Sequence, residues 1–163
     1  MRSTLMVLLA ALLCSCAGQV ISRDSLLLAN RDISFTRVRE APERFTGTYL
    51  LVGGAIAAVK NSAAGAELEI LQLGLDSSDR PREKSGSEGR FLARSREFLD
   101  PLIYKQGRLV TLVGKVSGSV PRALEGVDYR YPVLEIRELH LWKPEDPYAQ
   151  PAVNFGIGVG VGF

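Results

Sequence analysis

The stretch GRLVTLVGKVSG, residues 107–118, is the clearest β-strand in the chain. Successive side chains of a strand point to opposite faces. Residues 109, 111, 113 and 115 therefore share one face, and residues 110, 112, 114 and 116 share the other. Branched and aliphatic residues dominate this stretch, and a glycine bounds it at each end. The pattern predicts a strand, and the other strands are found by working outward from it.

Four further stretches have the composition of strands. Three precede the first one and one follows it: residues 49–59 (YLLVGGAIAAV), 67–75 (ELEILQLGL), 89–93 (GRFLA) and 129–142 (YRYPVLEIRELHLW). Between the third and fourth strands, residues 94–106 predict a short helix or an irregular connection, because Asp100 stands before Pro101 as a helix N-cap would. Residues 121–128 predict a turn region before the last strand.

Interruptions in the strand patterns predict a curved sheet. The paired Gly53 and Gly54 indicate a bulge, a sharp bend or the close approach of another backbone. In the second strand the apolar positions change face after Ile70, and in the last strand they change face near Arg137. Such slips are typical of sheets that turn corners.

The predicted order is three strands, a connection and two more strands, which is the order of an oligonucleotide/oligosaccharide-binding (OB) barrel. We therefore predict an all-β fold: a small OB-like five-stranded β-barrel with a short helix or irregular connection between strands 3 and 4. A different small β-barrel or a β-sandwich is the alternative. At 163 residues the chain is expected to form one domain.

The N-terminus predicts export. Arg2 precedes an apolar run at residues 5–13, too short to span a bilayer. Cys16 follows the small Ser15, and this junction resembles the lipobox of bacterial lipoproteins. That resemblance implies a signal peptide at residues 1–15 and a mature N-terminus at Cys16 that carries three acyl chains, palmitate among them. An ordinary secreted protein that is cleaved nearby, or an uncleaved anchor, is the alternative.

The rest of the chain divides into three expected segments. We expect a lipidated tether at residues 16–32, the β-barrel domain at residues 33–144 and a Pro/Gly-rich C-terminal tail at residues 145–163. Within the tail, glycine alternates with apolar residues from 155 to 163. This tail is expected to dock on its own domain, to be disordered, or to pair with a partner's strand edge or the membrane.

Charge and motifs argue against nucleic-acid binding and against catalysis. Lys and Arg number 20 and Asp and Glu number 18, and the two signs are interspersed rather than gathered on a basic face. The sequence contains no nucleophile elbow, phosphate-binding loop or zinc-protease helix motif. We therefore predict a protein that is not an enzyme, has no cofactor or metal, and does not bind nucleic acid.

The polar residues that would suggest chemistry have simpler interpretations. His140 is the one histidine of the chain and lies inside the last predicted strand, so a structural role is favoured over a metal ligand or a base. Asp76 and Asp79 lack the spacing of a calcium loop. The cap before Pro101 accounts for Asp100 without an acid catalyst.

Three aromatic residues of the last strand are the candidate surface for a ligand or partner. Tyr129, Tyr131 and Trp142 would form a stacking platform if they shared one exposed face, as aromatic residues do in OB domains. Packing in the core or at the rim of the barrel is the alternative.

An ordered set of short motifs completes the sequence evidence. It comprises GGAI (53–56), LEILQL (68–73), GRFL (89–92), FLDP (98–101), GR (107–108) with VG (113–114), YPV (131–133) and LHLW (139–142). With the lipobox, this set resembles the Slp family of outer-membrane lipoproteins, named for starvation-inducible expression, over residues 33–142. Val52 departs from the family, which often has an aromatic residue there.

The resemblance implies an outer-membrane location and no defined catalytic activity. Ala17 and Gly18, in place of an aspartate after Cys16, imply the same location by the sorting rule of Gram-negative lipoproteins. We expect a non-catalytic cell-envelope role, structural or as an adaptor and related to stress or starvation, for a domain that faces the periplasm or the cell surface. The partner would bind an exposed strand edge or the C-terminal tail. The alternative is an envelope receptor that binds a small ligand or glycan on the barrel face.

Overall fold

A computed structural model describes residues 19–144 of the chain. Cys16 and the glycine-alternating tail therefore lie outside the described residues. Two short helices, a 3-10 helix and six strands follow one another: α1 (Arg23–Leu28), β1 (Ala29–Asn30), α2 (Phe35–Glu40), the 3-10 helix (Pro42–Phe45), β2 (Tyr49–Ser62), β3 (Gly65–Leu73), β4 (Arg90–Ser95), β5 (Leu109–Leu124) and β6 (Val127–Leu141).

Five of the strands form a closed barrel. They neighbour one another in the order β2-β3-β4-β6-β5, and β5 returns to pair with β2. All pairs are antiparallel except β4 with β6, which run parallel. The short β1 adds to the start of β2 in parallel. The predicted all-β, OB-like five-stranded barrel is confirmed.

The core fills the barrel interior. Its largest fully buried members come from all five strands and include Leu50, Ile56, Leu68, Ile70, Phe91, Leu112 and Leu134. Helix α2 adds Phe35, whose ring centroid lies 5.5 Å from that of Phe91, and Val38. Apolar residues at alternate strand positions thus produce one continuous core.

Gly53 and Gly54 allow three backbones to approach closely. A Cβ atom on Gly54 would lie 1.9 Å from the carbonyl oxygen of Leu71, and one on Gly53 would lie 2.7 Å from that of Val110. Both glycines remain paired with β3 on one side and β5 on the other. Of the three predicted explanations, close backbone approach is the one that the structure shows.

One predicted register slip is confirmed and the other is wrong. Val113 pairs with Glu138 and Gly114 pairs with Ile136, which leaves Arg137 as the extra residue. The register of β3 with β4 is continuous, and the shift lies instead in β2, between Ile56 and Ala58. Of the apolar residues after Ile70, Leu75 lies beyond the end of β3 and packs over Gly53.

The hairpin between β5 and β6 is longer than predicted. The expected turn region at residues 121–128 is wrong, because β5 continues to Leu124 and only Glu125 and Gly126 form the turn. Both turn residues have positive φ, 52° and 85°, as a two-residue hairpin turn requires. Pro121 is tolerated because this part of β5 has left β2 and lies at an edge.

The connection between β4 and β5 is irregular, which is one of the two predicted alternatives. Residues 96–108 contain turns without a helix. Asp100 caps a single turn: its Oδ1 accepts the Leu102 N–H at 2.8 Å, and its carbonyl accepts the N–H of Tyr104 at 2.8 Å. The Asn61 side chain fixes the connection by bonding the N–H and the carbonyl of Leu99.

The segment expected to be a tether contacts the barrel from Ile21 onward. Ile21 is fully buried. The backbone N–H of Ser22 donates to Glu138 Oε1 at 2.8 Å, and the Ser22 hydroxyl donates to Oε2 at 2.5 Å. Ser25, at the start of α1, is also buried. The segment from Ile21 to Asn30 is therefore attached to the barrel wall, since its end also pairs with β2.

Candidate functional site

The outward face of β3 and β4 is the surface on which OB barrels bind their ligands. Alternation with the core residues points Glu67 and Glu69 outward from β3, and Arg90 and Arg94 outward from β4. Arg94 Nε donates to Glu67 Oε2 at 3.0 Å, and Arg90 Nη1 donates to Glu69 Oε1 at 2.6 Å. Ion pairs therefore cross this face between neighbouring strands.

The far part of the β5–β6 hairpin reaches the same carboxylates. Arg122 Nη1 donates to Glu67 Oε1 at 2.6 Å, and the Tyr131 hydroxyl donates to Glu69 Oε1 at 3.1 Å. The hairpin thus covers the face that an OB ligand would occupy. We call the residues that join hairpin and face the charged cluster: Glu67, Glu69, Arg90, Arg94, Arg122 and Tyr131.

The charges of this cluster are mutually stabilised. Partial burial alone would raise the pKa of Glu67, but hydrogen bonds from Arg122 and Arg94 outweigh it and lower that pKa. Burial, followed by the hydrogen bond to Glu69, raises the pKa of the Tyr131 hydroxyl. Glu67 therefore stays ionised and Tyr131 stays protonated near neutral pH.

Tyr129 and Tyr131 lie together on the β6 strand of the hairpin. Their ring centroids are 4.6 Å apart in an edge-to-face arrangement. Tyr131 is only 2% exposed and packs with Leu92 and Val133. The Tyr129 hydroxyl accepts the Arg90 N–H at 2.8 Å and donates to the Arg90 carbonyl at 3.2 Å. Tyr131 is thus packed away from solvent, and the Tyr129 hydroxyl is bonded to the backbone of β4.

Trp142 occupies a different place, after the opposite end of β6. Its Nε1 donates to the Thr111 hydroxyl at 2.9 Å, and the Arg80 guanidinium lies 5.0 Å from its ring centroid. His140 packs edge-to-face against it at 4.7 Å. Of the three aromatic residues expected to form one platform, the structure brings two together and leaves Trp142 apart.

The other polar candidates have structural partners. Burial lowers the pKa of His140, which is therefore neutral near neutral pH. Asp79 forms an ion pair with Arg31 at 3.2 Å, and Asp76 accepts the N–H groups of Ser78 and Arg80. Within residues 19–144, no group of three or more His, Cys, Asp or Glu side chains is placed to hold a metal ion.

Sequence reasoning missed two features. The first is the charged cluster. In the sequence, acidic residues alternate with apolar residues in β3, and the two arginines of β4 are spaced to share one face. The pairing of the two strands is needed to show that these acids and arginines meet. The second feature is an exposed apolar tip on the β4–β5 connection, which we define as Phe98, Leu102 and Ile103. These side chains are 68%, 85% and 51% exposed.

Of the helices in the described part of the chain, none is long and apolar enough to cross a membrane.

Comparison with curated proteins gives relatives from Escherichia coli K12. The chain is 35% identical to "Uncharacterized lipoprotein YeaY" over 106 residues, which are 65% of this chain and 54% of that protein. It is 32% identical to "Outer membrane protein Slp" over 109 residues, which are 67% of this chain and 57% of that protein. The matched segment thus spans little more than half the length of each relative.

Comparison with solved structures gives a mitochondrial single-stranded DNA-binding protein, Rim1, from S. cerevisiae. It is 14% identical, with a TM-score of 0.37, over 63% of this chain and 99% of that one. A small single-stranded DNA-binding protein from Streptomyces coelicolor is 11% identical, with a TM-score of 0.37, over 58% of this chain and 94% of that one.

The family model described as "Outer membrane lipoprotein Slp family" matches residues 13–158. The match extends from the cysteine region through the whole barrel, and it confirms the family resemblance that the short motifs indicated. This chain belongs to the Slp family of outer-membrane lipoproteins.

Proposed function

We propose that the protein is acylated at Cys16 and holds its barrel close to the outer membrane in a non-catalytic envelope role. The observation that carries this proposal is the short path from the cysteine to the barrel. Ile21 is fully buried only five residues after Cys16. Since an extended chain spans at most about 3.5 Å per residue, the barrel wall lies within about 20 Å of the acylated residue.

This path also defines the domain boundaries that we propose. The tether is confined to the residues between Cys16 and Ile21, and the segment from Ile21 to residue 32 belongs to the barrel domain. Three acyl chains hold a protein on a membrane for practical purposes permanently, because each buried methylene contributes about 0.8 kcal/mol. The result is a domain with little freedom to move away from the bilayer.

Mass spectrometry of the mature protein from fractionated membranes tests the anchor. We expect a triacylated N-terminal Cys16 in the outer-membrane fraction. Cys16→Ser removes the modification, whereas the matched variant Cys14→Ser keeps it, because Cys14 lies within the signal peptide. An unmodified mature protein, or acylation that survives Cys16→Ser, contradicts the proposal.

Within this role, an adaptor is better supported than a receptor. The charged cluster occupies the face where an OB-type ligand would bind, and Tyr131 is buried. The far part of β5 is unpaired along one side, because its pairing with β2 ends at Lys115. An exposed edge of this kind is suited to a partner strand, and the C-terminal tail is a second candidate contact.

A photoreactive amino acid at Ala123, on the exposed edge of β5, tests the adaptor role in cells. We expect one adduct of defined mass with an envelope protein. The matched control position is Lys84, which is also exposed but lies in the loop between β3 and β4. Equal adducts at both positions, or none at Ala123, contradict a partner at this edge.

We do not expect nucleic-acid binding. Electrostatic contact with backbone phosphates is the main source of non-specific binding to nucleic acids. On the face of β3 and β4, the guanidinium groups are paired with Glu67 and Glu69 instead; they belong to Arg90, Arg94 and Arg122. Fluorescence anisotropy with a labelled single-stranded oligonucleotide should show no binding even at low salt. Salt-dependent binding would contradict this expectation.

A further inference from the structure

The apolar tip (Phe98, Leu102 and Ile103) is exposed although the connection that carries it is well fixed. Leu99 is buried and bonded to Asn61 through both its N–H and its carbonyl, at 3.1 and 2.9 Å. The turn that presents the tip is closed by Asp100. An ordered segment that presents three large apolar side chains to solvent is typical of a surface that is covered in use.

The tip shares one side of the barrel with the N-terminal attachment. Ser22 is bonded to Glu138 by its N–H and its hydroxyl. Glu138 also lines a cleft of about 560 Å³ together with Leu99 and Tyr104, which belong to the connection that carries the tip. The chain that leads to Cys16 therefore leaves the barrel beside this connection.

The short segment between Cys16 and Ser22 keeps this side of the barrel close to the membrane. Ser22 is six residues after Cys16, a distance of about 20 Å when fully extended. Arg96 and Lys105 are exposed on either side of the tip, and Glu97 and Asp100 balance their charge, so the tip has no net negative charge that anionic lipids would repel. Exposed apolar side chains are suited to the interface of a phospholipid bilayer, because binding there scales with the apolar area that is buried.

We propose that the apolar tip is a second membrane contact, which inserts into the bilayer that carries the acyl anchor. This inference rests on the acylation of Cys16 proposed above. The anchor keeps the tip at a high local concentration of lipid, so a contact that would be weak alone becomes persistent. The barrel then has a fixed orientation, with the tip toward the bilayer.

Depth-dependent fluorescence quenching tests this contact. The full acylated protein is reconstituted into vesicles of phosphatidylethanolamine and phosphatidylglycerol, with an environment-sensitive fluorophore on Leu102→Cys. The matched control is Val127→Cys, because Val127 is 68% exposed and begins β6, whereas Glu138 lies near its end. We expect spin-labelled lipids to quench the fluorophore at position 102 severalfold more than at position 127.

The outcomes separate this inference from the anchor. Vesicle flotation is measured on the same samples, and a protein that floats without preferential quenching at position 102 overturns the membrane contact alone. A protein that fails to float overturns the anchor and this inference together. A photoreactive residue at position 102 that yields protein adducts instead of lipid adducts in cells also overturns it, in favour of a protein partner.

Discussion

Two surfaces of the barrel differ in their exposure to solvent. One is the outward face of β3 and β4, and the other is the connection between β4 and β5. The first is covered by the chain's own hairpin, which joins it through the charged cluster. The second leaves Phe98, Leu102 and Ile103 open to solvent. The surface used by other OB barrels is thus closed here, while a surface near the N-terminal attachment is open. We therefore expect contact with the bilayer at the open surface.

Tyr131→Ala is expected to have the largest effect, because it removes a buried ring that holds the hairpin on the barrel. We expect a loss of about 3 kcal/mol in the free energy of unfolding, as for other buried aromatic residues. Chemical denaturation followed by circular dichroism measures it. Tyr131→Phe keeps the packing and loses only the hydrogen bond to Glu69, so its loss should be about 1 kcal/mol. Equal losses in the two variants would contradict the expectation that packing of the ring contributes more than its hydrogen bond.

Glu67→Gln loosens the hairpin without removing packing. Glu67 accepts hydrogen bonds from Arg122 and Arg94, but both arginines are partly exposed, so solvent screens the pairs. We expect a loss of about 1 kcal/mol in the free energy of unfolding. The control is Glu83→Gln, in the exposed loop between β3 and β4. If the control loses as much stability, the cluster does not hold the hairpin.

The same carboxylate predicts a pH dependence of smaller size. The folded-state pKa of Glu67 lies below its ordinary value of 4.5, so its contribution is present above that value and is lost as the pH falls further. The free energy of unfolding should therefore decline more steeply below about pH 4.5 in the wild type than in Glu67→Gln. Glu43 and Glu138 also have lowered pKa values, but both proteins contain them. If the free energy of unfolding declined in parallel in the two proteins, Glu67 would not be the source of this pH dependence.

Substitution in the apolar tip should have the smallest effect on folding. Leu102→Asp combined with Ile103→Asp changes two exposed side chains, so the free energy of unfolding should change by no more than about 0.5 kcal/mol. On vesicles, however, a fluorophore at Phe98→Cys should lose its quenching by spin-labelled lipids in this background. Destabilisation comparable to that of Tyr131→Ala would show that the tip is part of the fold.

The sequence alone predicts the features that depend on the local alternation of apolar and polar residues. The strand at residues 107–118 and the slip at Arg137 follow from which positions are apolar, so both could be found without the structure. The predicted slip after Ile70 was wrong because the half-buried Leu75 lies beyond the end of β3 and packs over Gly53, a contact that a strand pattern does not contain. Pro121 by itself predicts a turn, but it lies in the part of β5 that forms a sheet edge and tolerates a proline.

The candidate surfaces depended on contacts between distant residues. Arg122 and Glu67 are 55 residues apart in the sequence, so their pairing follows only from the barrel topology. Phe98 and Leu99 are neighbours with similar side chains, yet one is exposed and the other is buried. The bonds from Asn61 to Leu99 decide that difference, and composition carries no sign of it.

Hydroxyl-radical footprinting of the acylated protein on phospholipid vesicles tests the comparison most directly, since one sample reports both surfaces. Phe98 and Val127 are equally exposed in the structure, at 68%, and Tyr131 is buried. Each residue is compared with itself in the same protein held in detergent, because side-chain types differ in their reactivity toward the radical. We predict that vesicles protect Phe98 and leave Val127 unchanged, and that Tyr131 is modified far less than Tyr129 in both states. Protection of Phe98 no greater than that of Val127, or modification of Tyr131 as strong as that of Tyr129, would contradict the account.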